Sequence, residues 1–154
     1  MKKGFKLIEL IALFVVVFIA LAGCSKTDDR DQFIGDYSIK VEGSLALTIN
    51  GINYSEPLNS TGYLSIIKSV GETDVSVSGY YDCLASISGN TISMDPMTGT
   101  QTQDGVTYQL ALTPRRGTLN GNTLTFIVDV TGSAYYYGDS YPVSGTLYNE
   151  AIKR

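Results

Sequence analysis

The sequence predicts an all-β fold: an antiparallel up-and-down meander of about eight to ten strands that closes into a small β-barrel. Three observations predict it. Apolar and polar residues alternate from Phe33 onward, no later stretch has the period of a helix, and turn-forming residue pairs separate the apolar runs. A two-sheet β-sandwich is the alternative. Closure into a barrel leaves no strand edge unpaired. The short connections also favour the barrel, because a sandwich needs longer crossings between its two sheets.

The order of the predicted strands follows from the alternating runs. Odd-numbered positions from Tyr37 to Ile49 are largely apolar, and Asn50-Gly51 then supplies the residues of a two-residue hairpin turn. Later strands are centred on residues 52–54, 63–67, 75–77, 106–112, 124–130 and 141–147.

An internal repeat predicts two similar hairpins. Residues 86–94 return as residues 118–126, and each copy has a central Gly-Asn pair that fits a tight turn with positive φ at glycine. Such turns place apolar residues opposite each other on one face: Ile87 with Ile92, and Leu119 with Leu124. Two copies are too few for a solenoid or a propeller and suit a meander.

The first residues have the features of an export signal. Residues 1–6 are basic, residues 10–21 are apolar, and Leu21-Ala22-Gly23-Cys24 follows at once. This arrangement resembles the signal peptide and lipobox of bacterial lipoproteins. The resemblance implies cleavage before Cys24 and attachment of lipid to that cysteine, and several acyl chains together anchor a protein stably.

A second motif lies in the same segment. Residues 4–10, with Glu9 fifth after Gly4, resemble the prepilin cleavage motif of type IV pilins and pseudopilins. Pilins continue the apolar helix as an amphipathic spine, whereas Gly23 and the polar residues 25–31 end any helix here. A pilin-like protein is therefore the less favoured interpretation.

These features divide the chain into three parts. Residues 1–23 are the predicted signal peptide, residues 24–32 a lipidated polar tether, and residues 33–154 the β-barrel domain. Asp28, Asp29 and Asp31 are expected to keep the tether solvated. Arg115-Arg116, between a proline and a glycine, is expected to form a solvated turn.

Composition excludes several function classes. After Gly23 the chain has 8 basic and 14 acidic side chains, so nucleic-acid binding is not expected. It contains no histidine, which removes the commonest general base and metal ligand. We therefore expect no enzyme activity, no metal and no cofactor. If Cys24 carries lipid, Cys83 has no disulfide partner and is expected to be a core residue.

A set of short motifs spans the predicted domain: residues 33–37, 62–66 and 77–79, the two Gly-Asn hairpins, and residues 141–147 and 151–153. Their order is similar to the lipocalin-like (calycin-like) lipoproteins of Bacteroidetes. The resemblance implies a lipocalin-like barrel held in the cell envelope, in the outer membrane, on its periplasmic face or at the cell surface. The Gly-x-Trp signature of true lipocalins is missing, since the chain has no tryptophan.

Two functions are consistent with these features. The first is a non-catalytic, lipid-anchored barrel that binds a small apolar or amphipathic ligand in its interior or mouth. Its candidate binding residues are Tyr37, Tyr108, Phe126, Tyr135, Tyr136 and Tyr137. The alternative is a filled barrel that contacts an envelope protein or a glycan through loops such as residues 133–140.

Overall fold

The structure, a computed structural model, describes residues 27–154. The predicted signal peptide, the lipobox and Cys24 lie outside the described residues. Within residues 27–154, no helix has the length and apolar character needed to cross a membrane.

The described chain is built almost entirely of strands, which confirms the predicted all-β class. A short 3-10 helix, η1 (Asp29–Gln32), precedes them. The strands are β1 (Gly35–Ile49), β2 (Ile52–Lys68), β3 (Asp74–Gly79), β4 (Cys83–Ser88), β5 (Thr91–Met94), β6 (Met97–Gln103), β7 (Val106–Pro114), β8 (Gly117–Asn120), β9 (Thr123–Tyr136) and β10 (Asp139–Lys153).

Eight of these strands close on one another. The order β10-β1-β2-β3-β4-β5-β8-β9, completed by pairing between β9 and β10, forms a continuous antiparallel ring that is barrel-like. The predicted closure of an antiparallel meander is thereby confirmed. One hairpin departs from the sequential strand order of a meander. β6 and β7 come between β5 and β8 in sequence, but they lie outside the ring, where β7 pairs with β9.

The two repeated hairpins have the predicted register. Ile87 lies opposite Ile92, and Leu119 lies opposite Leu124. Gly89 and Gly121 have φ of +57° and +59°, the conformation that a type II′ turn requires at its first central residue. Glycine adopts this backbone conformation without the steric cost that a Cβ atom would bring.

Side chains fill the interior of the ring. Alternate residues of the ring strands point inward and, with Phe33 just before β1, form one buried cluster. Its largest fully buried members are Phe33, Tyr37, Ile39, Leu64, Ile66, Ile92 and Leu124. The Tyr37 hydroxyl donates a hydrogen bond to the Phe33 carbonyl oxygen at 2.7 Å. Burial raises the pKa of Tyr37 to about 12, so the phenol stays neutral.

The segment before Phe33 is not a free tether. Arg30 donates hydrogen bonds to the carbonyl oxygens of Ser69 and Asp74, and its guanidinium is paired with Asp28. Lys68 forms ion pairs with both Asp28 and Asp31. These charged side chains find partners on the ring, so part of the predicted polar tether, from Asp28 onward, packs against the domain.

Candidate functional site

Four long strands extend past the ring and, with β6 and β7, make a second sheet region. It contains residues 43–58, 97–113 and 130–144, in the strand order β2-β1-β10-β9-β7-β6. We call it the projecting sheet. Its three hairpin tips are residues 50–51, 104–105 and 137–138. They lie at the end of the molecule opposite η1, because η1 packs beside the start of β1 and the tips lie beyond the end of β1.

One face of the projecting sheet continues the interior face of the ring. Residues opposite each other in an antiparallel ladder point to the same side. One row across five strands is therefore Tyr54, Leu47, Val143, Gly132 and Leu110. The next row toward the tips includes Ile49, Ile52, Tyr141, Ala134 and Tyr108. We call this side the inner face.

The inner face is buried at its centre and open at its margin. Ala134 and Val143 are buried, whereas Ile52 and Tyr54 on the outermost part of β2 are more than half exposed. Tyr136, beside the tip of β9, is also exposed. These exposed side chains make the margin of the inner face a candidate interaction surface.

The other face of the projecting sheet is polar. It presents Thr98, Thr100, Thr107, Gln109, Thr131 and Ser133. The three segments contain no lysine or arginine, and their charged side chains are Glu56, Asp104 and Asp139. The inner face is thus largely apolar but carries Glu56 and Asp139, and the other face is rich in hydroxyl groups.

Glycines allow close strand approach where the ring meets the projecting sheet. A Cβ atom on Gly43 would lie 2.2 Å from the Thr146 carbonyl oxygen, and one on Gly145 would lie 2.3 Å from the Ser44 carbonyl oxygen. Any side chain at either position would therefore separate β1 from β10 at this junction.

The tip of the β9–β10 hairpin has an unusual residue. Tyr137 and Gly138 both have positive φ, at 50° and 91°, as in a type I′ turn. Asparagine, aspartate and glycine are the residues favoured there, since a bulky side chain is strained at positive φ. Tyr137 is 90% exposed, and its ring centroid lies 4.4 Å from that of Tyr136. An exposed tyrosine in this conformation is a candidate binding residue.

The structure separates the six predicted binding residues. Tyr37 and Phe126 are buried in the filled ring. Tyr108 and Tyr136 lie on the inner face, and Tyr135 lies on the polar face. With Tyr137 at the tip, four of the six belong to the projecting sheet.

Sequence reasoning missed the contribution of β1 and β2 to this surface. Leu47, Ile49, Ile52 and Tyr54 were assigned to strands but not to a site. Strand length could have indicated this contribution. The alternation runs through the fifteen residues of β1, and a strand longer than most can extend beyond a small barrel.

Cys83 lies at the start of β4 and is a free, half-buried thiol. Burial, with Asp95 and Asp82 nearby, raises its pKa to about 11. A thiol in this environment stays protonated at neutral pH and is a poor nucleophile.

Comparisons with known proteins show one weak structural similarity and no matching family. No protein-family model matches the chain, and no curated protein is similar to it. Among solved structures, the crystal structure of ywiB protein from Bacillus subtilis is similar over 75% of this chain and 92% of that one, at 10% identity and a TM-score of 0.35.

Proposed function

We propose that the chain is a lipid-anchored, non-catalytic protein of the cell envelope that binds a partner protein through the projecting sheet. The observation that carries this proposal is the exposed apolar inner face, flanked by Tyr136 and Tyr137. Tyrosine is enriched in protein interfaces, where it gives a large contact area with little loss of conformational freedom.

The start of the described chain at η1 and the projecting sheet lie at opposite ends of the molecule. Cys24 precedes the ordered Asp28 by so few residues that the intervening chain spans about 14 Å at most. β1 then runs for fifteen residues, about 45 Å, toward the tips. An anchored molecule therefore holds its inner face away from the membrane that carries it.

Two properties favour a protein over other occupants. The filled ring leaves its buried aromatic residues packed against one another, which disfavours a small ligand carried inside. The projecting sheet has no cationic side chain, which disfavours anionic lipid headgroups. A wide apolar face with exposed tyrosines and a few carboxylates suits a protein surface.

Photo-crosslinking in intact cells tests this proposal. A photoreactive amino acid replaces Tyr54 on the inner face in one variant and Ile67 on the outside of the ring in the other. The two positions are matched, at 53% and 56% exposed. We expect a discrete protein adduct from position 54 and none from position 67, and we expect Tyr136→Ser in the first variant to abolish it.

Three results would contradict the proposal. They are a lipid adduct in place of a protein at position 54, equal adducts at both positions, and no adduct at either.

A further inference from the structure

A groove of about 640 Å³ runs along the outside of the ring, on the surface opposite the core. β1, β9 and β10 form its floor, and the connection from β7 to β8 forms one wall. Its size falls within the range of about 300–1,000 Å³ typical of ligand sites. We infer that this groove is a second binding site, independent of the projecting sheet, and that it takes a neutral carbohydrate chain.

An exposed aromatic ring lies in the groove. Tyr148 is opposite Glu42 on β1 and Ile127 on β9, and it is 59% exposed. Because the Tyr148 ring is exposed within the groove and not packed in the core, it offers an apolar contact to a ligand.

Paired charges flank Tyr148. Lys40 Nζ lies 2.6 Å from Glu42 Oε1, and Arg115 donates from Nε and a terminal nitrogen to the two Asp129 carboxylate oxygens at 2.8 Å each. The ion pairs hold these side chains in place. Each pair still has unused N–H donors and carboxylate lone pairs for a ligand.

The charges in and around the groove balance. Lys40, Arg115 and Arg116 are cationic, while Glu42, Asp129 and Glu150 are anionic. An anionic ligand would have to compete with Glu42 for Lys40 and with Asp129 for Arg115. A purely apolar ligand would cover charged groups without replacing their hydrogen bonds to water, which costs free energy.

A pyranose ring satisfies both features of the groove. Its C–H face can lie on the Tyr148 ring, and its hydroxyls both donate and accept hydrogen bonds, as the flanking ion pairs require. It has no net charge to disturb the balance. Several linked rings would follow the length of the groove.

The chain contains no tryptophan, so Tyr148→Trp introduces one fluorescent reporter and keeps the aromatic surface. We would titrate the full-length variant, in a detergent without a sugar headgroup, with hexasaccharides of glucose, mannose and N-acetylglucosamine and with inorganic phosphate. We expect a saturable change with at least one hexasaccharide and none with phosphate.

Calorimetry on the unlabelled protein completes the test. Tyr148→Ala should weaken binding of the same hexasaccharide at least tenfold, while Tyr63→Ala, at another exposed tyrosine on the ring, should leave the affinity unchanged. The inference is overturned if no hexasaccharide binds, if phosphate binds more tightly than any of them, or if Tyr148→Ala binds like the wild type. Because Tyr148 lies outside the projecting sheet, this result is independent of the crosslinking result.

Discussion

The Tyr81 hydroxyl donates a hydrogen bond to Asn149 Oδ1 at 2.8 Å inside the ring. Asn149 in turn donates from Nδ2 to the Leu147 carbonyl oxygen at 3.1 Å. Tyr81 comes from the connection between β3 and β4, and its ring packs edge-on against Phe126 on β9. A residue from a connection thus fills the interior and satisfies a buried amide, so the ring is organised as a packed core.

Removing that hydroxyl tests the packed-core description. Tyr81→Phe leaves the buried Asn149 amide short of a donor, and we expect the free energy of unfolding to fall by about 1–3 kcal/mol. Urea denaturation measures it. Tyr80→Phe, at the half-buried neighbour, is the matched control and should change little. Equal stability of Tyr81→Phe and the wild type would indicate that water reaches Asn149.

Alkaline pH should destabilise the protein through its buried tyrosines. Burial raises the pKa of Tyr37 to about 12, against about 10 in an unfolded chain, and burial also raises the pKa of Tyr81. Above pH 10 the unfolded state releases protons that the folded state retains, so stability falls between about pH 10 and about pH 12.

Urea denaturation at about pH 9 and about pH 11 measures this fall. Tyr37→Phe should show a smaller loss over the same interval, because one of the shifted groups is gone. An identical loss in Tyr37→Phe and the wild type would count against a buried, neutral Tyr37.

The ordered segment before Phe33 predicts a second stability effect. Arg30→Ala removes the hydrogen bonds to the Ser69 and Asp74 carbonyl oxygens and the ion pair with Asp28. We expect the free energy of unfolding to fall measurably. Arg116→Ala, at an exposed arginine in the connection from β7 to β8, is the control. A free tether would make the two variants equally harmless.

Tyr137 predicts a gain in stability together with a loss of binding. Tyr137→Asn places a residue that tolerates positive φ at the β9–β10 tip, and we expect about 1 kcal/mol of stabilisation. Thermal unfolding measures the rise in Tm. The same variant should weaken the crosslink from position 54. A lower Tm than the wild type would show that the tyrosine stabilises the turn.

Local sequence patterns were sufficient to predict much of the ring. Gly-Asn turns and period-two alternation define the register of Ile87 with Ile92 without any long-range information. The pattern fails at β6, whose residues Met97–Gln103 have no apolar alternation because the strand is exposed on nearly every residue. β6 pairs with β7 at the edge of the projecting sheet, and its place there depends on the pairing of β7 with β9.

The candidate site was only partly predictable for the same reason. Tyr37 and Tyr108 are both tyrosines in alternating strands, yet one fills the ring and the other lies on the projecting sheet. Periodicity distinguishes the two faces of a strand but not the position along it where the ring ends. Likewise, the polar residues around Arg30 have the composition of a linker, and only their partners on the ring order them.

In the proposed arrangement, lipid at Cys24 holds the ring near the membrane and the projecting sheet away from it. Its most direct test uses full-length protein in nanodiscs whose lipid headgroups carry a quenching dye. A fluorophore is attached through Ile67→Cys in one sample and through Tyr137→Cys in another. We predict strong quenching at position 67, little at position 137 about 45 Å further along the molecule, and none at either once Cys24→Ser prevents anchoring. Strong quenching at position 137, or quenching that persists in Cys24→Ser, would contradict this arrangement.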